Sequence, residues 1–168
     1  MKQLVPVALL LTLLLLPVPA CGTRATGPFF EKLETKELAN AIIYLYAGAQ
    51  IGPIITQRIY PIKANGVPVA KVPDGGYYPF RVAQGVVTFD VEGHGTPTIP
   101  VTLQVEGGQT YFVKAIQWGG GRYGGAKIEL KLLSEDEAIN DIAMCRLIVI
   151  RCTETDPTLS SAPCFYIQ

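Results

Sequence analysis

The sequence predicts a mainly β protein: an antiparallel β-sandwich of about eight strands with one C-terminal helix. Between Val86 and Leu132, apolar and polar residues alternate in four short segments, each bounded by glycine. A period of two sends successive side chains to opposite faces, so such segments form half-buried strands with one face on a core. Gly-rich turns separate them, as in an antiparallel sheet with one face on a core. One stretch alone, Ser134 to Leu147, carries a convincing helical spacing instead.

The first twenty residues stand apart from that core. Lys2 precedes an apolar run from Leu4 to Leu16, and Pro17 to Ala20 lead into Cys21. Such a run is too short for a stable transmembrane helix and has the length of the apolar region of a signal peptide. Val18-Pro19-Ala20-Cys21 resembles the lipobox of bacterial lipoproteins, although Pro19 is unusual there. The resemblance implies cleavage before Cys21 and lipidation of that cysteine; the alternative is an ordinary secretory leader cut after Ala20. Two or more acyl chains anchor stably, because each buried methylene contributes about 0.8 kcal/mol. Gly22, rather than aspartate, follows the cysteine, which under enterobacteria-like sorting implies the outer membrane.

Residues 21–39 are expected to be a linker after the lipidated cysteine, holding the domain off the membrane. Gly22 to Phe30 is small and polar before ending in two aromatics, and Glu31 to Ala39 lacks a clear apolar face. The β domain is expected over 40–150. Ala41 to Tyr46 is continuously apolar, as suits a strand covered on both faces. Gln50 to Thr56 reads as a loop. Gln57 to Lys63 reads as a strand, placed at a sheet edge because Pro61 lacks the N–H of a central ladder. Asn65-Gly66 is a type I′ hairpin signal, since both central residues need positive φ. Val67 to Val72 is the return strand, and Asp74-Gly75-Gly76 turns into Tyr77 to Ala83.

In the alternating block, Val87, Phe89 and Val91 are expected inward against Thr88, Asp90 and Glu92. Val101, Leu103 and Val105 oppose Thr102 and Gln104. Tyr111, Val113 and Ala115 alternate with Phe112, Lys114 and Ile116, and Ala126, Ile128, Leu130 and Leu132 with Lys127, Glu129 and Lys131. The helix is expected near 135–147. Ser134 and Glu137 form a capping-box pattern, Glu135 and Asp136 favour the N-terminus, and Ala138, Ile139, Ile142, Ala143 and Leu147 form its apolar stripe. Leu147 to Ile150 has the character of an added edge strand. Residues 151–168 are a polar, turn-rich tail containing cysteines.

Several of these motifs together resemble an uncharacterised family of small bacterial lipoproteins with a β-sandwich domain. They are Ala41-Ile-Ile-Tyr-Leu-Tyr46, Asn65-Gly66-Val67-Pro-Val-Ala70, Gly76-Tyr77-Tyr78, the strand after Gly85, and Val105-Glu-Gly-Gly-Gln-Thr-Tyr-Phe-Val113. The match covers roughly 39–147. Asn65 stands where the family usually has aspartate and Gln84 where it usually has proline, swaps that keep the turn chemistry. The motifs are structural, and the resemblance implies a fold but no catalytic residue.

The chain has 14 basic and 14 acidic residues; removing 1–20 takes Lys2 with it and leaves a formal charge of −1. A near-neutral chain without a basic run gives no electrostatic reason to expect nucleic acid. Lipidation of Cys21 leaves three of the four cysteines, an odd number for an oxidising compartment. A Cys152–Cys164 disulfide would close a short loop and contribute about 2–3 kcal/mol, and Cys145–Cys152 is the competing pairing. The three have no C-x-x-C spacing, so a structural role is favoured over a redox one.

Chemistry has few candidates. His94 is the sole histidine, in a loop beside Asp90 and Glu92, and falls short of a metal ligand set. No cofactor or metal is expected. The stretch from Trp118 to Gly125 places an indole, the Arg122 guanidinium and the Tyr123 phenol on a glycine-rich loop. These side chains are typical interface anchors, so the loop is a possible binding clamp; alternatively Trp118 packs back on the sheet. The expectation is a non-enzymatic, lipid-anchored cell-envelope module facing the periplasm, with an envelope protein partner. Small-molecule or glycan binding through Trp118, Arg122 and Tyr123 is the alternative. Oligomeric state is left open.

Overall fold

A computed structural model describes residues 25–34, 39–49, 58–93, 96–119 and 126–149. Among them are ten strands and one helix: β1 (Asn40–Ala47), β2 (Ile59–Ala64), β3 (Val67–Pro73), β4 (Gly76–Ala83), β5 (Gly85–Val91), β6 (Thr98–Ile99), β7 (Val101–Val105), β8 (Thr110–Trp118), β9 (Lys127–Leu133), α1 (Glu135–Ile142) and β10 (Arg146–Leu147). They form a six-stranded sheet in the order β10-β4-β1-β8-β9-β6 and a four-stranded sheet in the order β3-β2-β5-β7. The expected β-sandwich is present, with α1 near its C-terminal end. Its larger sheet is mixed, because β1 runs parallel to β8, β10 to β4 and β6 to β9.

The alternation sorts side chains as its period requires. Val87, Phe89 and Val91 are buried, as are Leu103, Val105, Val113, Ala115 and Leu130. Together with Ile43, Leu45, Tyr60, Ile62 and Val72 they fill the space between the sheets. Leu132 departs from the pattern and lies exposed. A period of two fixes the face from which a side chain leaves the strand, not whether the opposite sheet reaches that position.

The apolar run of β1 is explained by a second core on the sheet's other side. Ile42, Tyr44 and Tyr46 point away from the sandwich and pack with Tyr77, Phe112, Ala138, Ile142 and Cys145. The protein therefore has three layers: the small sheet, the large sheet, and an outer layer of α1 and residues 25–34. Ser134 and Glu137 form the expected capping box. The helix ends at Ile142, short of Leu147, and the following turn delivers Cys145 to the second core and Arg146 to the sheet edge.

Two expectations are corrected. The segment read as a linker is in part a docked strap. Gly27 N–H donates to the Leu147 carbonyl at 3.0 Å, Leu147 N–H to Pro28 at 2.9 Å and Phe30 N–H to Cys145 at 3.0 Å. Phe30 meets the Tyr44 and Tyr77 rings edge-on at 5.0 and 5.4 Å, and the Tyr44 hydroxyl accepts from Leu33 N–H at 2.6 Å. Tyrosine suits this position, where a buried ring and a satisfied hydroxyl are both available.

The strand carrying Pro61 is not an edge strand: β2 lies between β3 and β5. The Pro61 carbonyl accepts from Glu92 N–H at 2.9 Å, so its ring nitrogen also faces β5, at the last rung of the ladder just beyond Ile62 opposite Val91. The one bond forgone, from a Pro61 N–H to the Glu92 carbonyl, lies at the end of that ladder. Pro79 in β4 is tolerated similarly, lying beyond the two residue pairs that β10 makes with β4.

The Asn65-Gly66 hairpin has the expected positive φ at both residues, 50° and 81°. Asn65 also joins β5, donating its N–H to the Thr88 carbonyl at 2.8 Å and accepting Thr88 N–H on Oδ1 at 2.9 Å. The edge strand expected at Leu147 to Ile150 lies earlier, as β10, and shares only Leu147 with that expectation.

Candidate functional site

Trp118 ends β8 with its side chain 55% exposed. Antiparallel pairing sets Trp118 opposite Lys127 and Ile116 opposite Glu129. Trp118 and Glu129 therefore stand on one face, and the indole Nε1–H donates to Glu129 Oε2 at 2.9 Å. The indole is tethered at the sheet's end while much of its surface stays open. Arg122 and Tyr123 lie outside the described residues, so Trp118 is the one member of the expected clamp that is placed.

The two edges of the four-stranded sheet differ chemically. Along β3 stand Pro68, Lys71 and Pro73, with a register shift between Ile62 and Lys63 of its partner. Prolines, charges and bulges all obstruct the approach of another strand. Along β7 the sequence is Val101-Thr-Leu-Gln-Val105, with neither charge nor proline. Thr88 directs its backbone N–H and C=O at Asn65, toward β2, so the backbones of Val87 and Phe89 face β7. Their partners Leu103 and Val101 thus face inward, and the backbones of Thr102 and Gln104 face outward. Among the described residues no strand lies beside them.

Cys145 is a free, fully buried thiol. Its Sγ–H lies 3.5 Å from the Ala47 carbonyl and 3.6 Å from that of Asp141. Burial, reinforced by Asp141, pushes its pKa up to about 12. Such a thiol stays protonated and is a poor nucleophile. Cys21, Cys152 and Cys164 lie outside the described residues. Beside Cys145, the Tyr46 hydroxyl is buried without a hydrogen-bond partner among the described residues, and its pKa is raised by burial first and by Asp141 next. Asp141 itself pairs with Lys114.

His94 lies outside the described residues. Of its acidic neighbours, Glu92 pairs with Lys63 at 3.4 Å and Asp90 accepts from Val91 N–H at 2.8 Å. Among the described residues no three histidine, cysteine or acidic side chains gather as a metal site. A cleft of about 400 Å³ opens among Leu33, Gln109, Thr110 and their neighbours, where Lys32 and Glu135 form an ion pair.

Sequence reasoning missed two features: the strap, signalled only by the Phe29-Phe30 pair closing an otherwise polar stretch, and the outward backbone of β7. No family model, curated protein or solved structure matches the chain.

Proposed function

We propose that the protein is a lipid-anchored interaction module of the bacterial cell envelope, without enzymatic activity, which takes an extended segment of an envelope protein alongside β7. The observation that carries this is the outward backbone of Thr102 and Gln104 on an uncharged, proline-free edge. Strand addition draws affinity from main-chain hydrogen bonds, and such an edge supplies both donors and acceptors. The opposite edge, with Pro68, Lys71 and Pro73, is poorly suited to it.

Anchoring at Cys21, cleavage before it and an outer-membrane location facing the periplasm follow from the lipobox-like sequence and from Gly22. The likeness to small bacterial lipoproteins supports the same reading. With Cys145 committed to the second core, Cys152–Cys164 is the disulfide retained in this reading.

The test is photocrosslinking in intact cells, with a photoreactive residue at Gln104 and, separately, at Lys71 on the other edge. One dominant protein adduct from position 104 and none from 71 is expected. No adduct from 104, in protein recovered from membranes, would contradict strand addition. A second reading rests on the open indole of Trp118, a flat apolar face suited to a glycan or other small molecule. In that reading Trp118→Ala abolishes a ligand-induced rise in melting temperature and leaves the Gln104 adduct unchanged.

A further inference from the structure

We propose that the β10 edge, with the strap laid against it, is the face the domain turns to the lipid bilayer. The proposal rests on anchoring at Cys21. Gly27 is already hydrogen-bonded to β10, so six residue steps separate the anchor from the folded body. Fully extended, they reach about 20 Å, less than the width of a small domain. The domain is thereby held close to the membrane, by the edge where the strap enters it.

That edge carries the side chains such a position needs. Phe29 is 54% exposed, Met144 66% and Val149 54%. All three lie on the strap or immediately beside β10. Phe29 is bridged to Arg146, whose guanidinium sits 4.0 Å from the centre of the Phe29 ring and donates to the Gly27 carbonyl at 3.3 Å. An aromatic ring beside a guanidinium, with exposed apolar residues two positions before and two after β10, suits the headgroup–acyl boundary. There the apolar groups enter the boundary while the cation meets lipid phosphate. The far edge of the large sheet, β6, lies five strand spacings away, about 24 Å. It would face the periplasm, as would Trp118, three spacings from β10.

The test uses the full-length lipidated protein in phosphatidylethanolamine–phosphatidylglycerol vesicles whose acyl chains carry bromine near the headgroup. Trp118 is the only tryptophan and reports on the distal side. Phe29→Trp and, separately, Val149→Trp, each combined with Trp118→Phe, report on the β10 edge. Fluorescence quenched several-fold more at positions 29 and 149 than at Trp118 is the expected result. Equal or weaker quenching at both, in protein that floats with the vesicles, would overturn the orientation and leave anchoring intact. Protein that fails to float would overturn anchoring and the orientation together.

Discussion

Gly27 and Leu147 touch through their backbones: the Gly27 N–H reaches the Leu147 carbonyl at 3.0 Å, and a Cβ on Gly27 would stand 2.6 Å from that oxygen. Real Cβ atoms do not approach so closely, so glycine is required here by contact rather than by φ. Gly27→Ala is expected to lift the strap and destabilise the protein by about 1–3 kcal/mol in urea unfolding. An unchanged unfolding midpoint would show that the strap is not part of the folded unit.

Adjacent phenylalanines should behave differently. Phe30 packs against Tyr44, Tyr77 and Phe112, so Phe30→Ala should cost about 2–3 kcal/mol. Phe29 is largely exposed under the Arg146 guanidinium, and Phe29→Ala should cost no more than about 1 kcal/mol. Equal losses in thermal or chemical unfolding would contradict the docking of the strap through Phe30.

Two buried tyrosines differ in the fate of their hydroxyls. The Tyr44 hydroxyl accepts from Leu33 N–H, so Tyr44→Phe should cost about 1 kcal/mol. The Tyr46 hydroxyl is buried and unpartnered, so Tyr46→Phe should be neutral or stabilising. The order of the two variants in calorimetry is the check.

Cys145 makes stability depend on alkaline pH. Its folded pKa of about 12 lies above the ordinary value of 9.0. The unfolded chain therefore loses this proton first as pH rises. The contribution is complete below about pH 9 and is lost progressively between there and 12. Cys145→Ala should flatten that decline between pH 9 and 10, before the buried tyrosines, whose pKa values are also raised by burial, begin to add to it. Thiol alkylation should reach Cys145 only on unfolding.

How much of this was legible in the sequence depended on distance along the chain. Val87, Phe89 and Val91, the Asn65-Gly66 turn and the Ser134–Glu137 capping box are set by neighbours a few residues apart, and each is seen. The two-faced burial of β1 was also readable, because a strand without polar alternation needs cover on both sides. Long-range pairing was not readable. Nothing in the local sequence says that β1 runs parallel to β8, or that Pro61 sits at the last rung of the β2–β5 ladder. Nor does the polar run before Phe29 say that Gly27 will meet Leu147, some 120 residues later. At the candidate site, the glycine-rich context of Trp118 left open whether the indole stands out or packs back on the sheet, and its bond to Glu129 depends on the β8–β9 register.

The lipid anchor proposed at Cys21 is tested most directly by the mass of the N-terminal peptide of the mature protein extracted from membranes. The expected result is a chain beginning at Cys21 that carries a diacylglyceryl thioether and an amide-linked acyl group. An unmodified Cys21, or a chain retaining Met1, would contradict the lipid anchor and with it the membrane-facing edge.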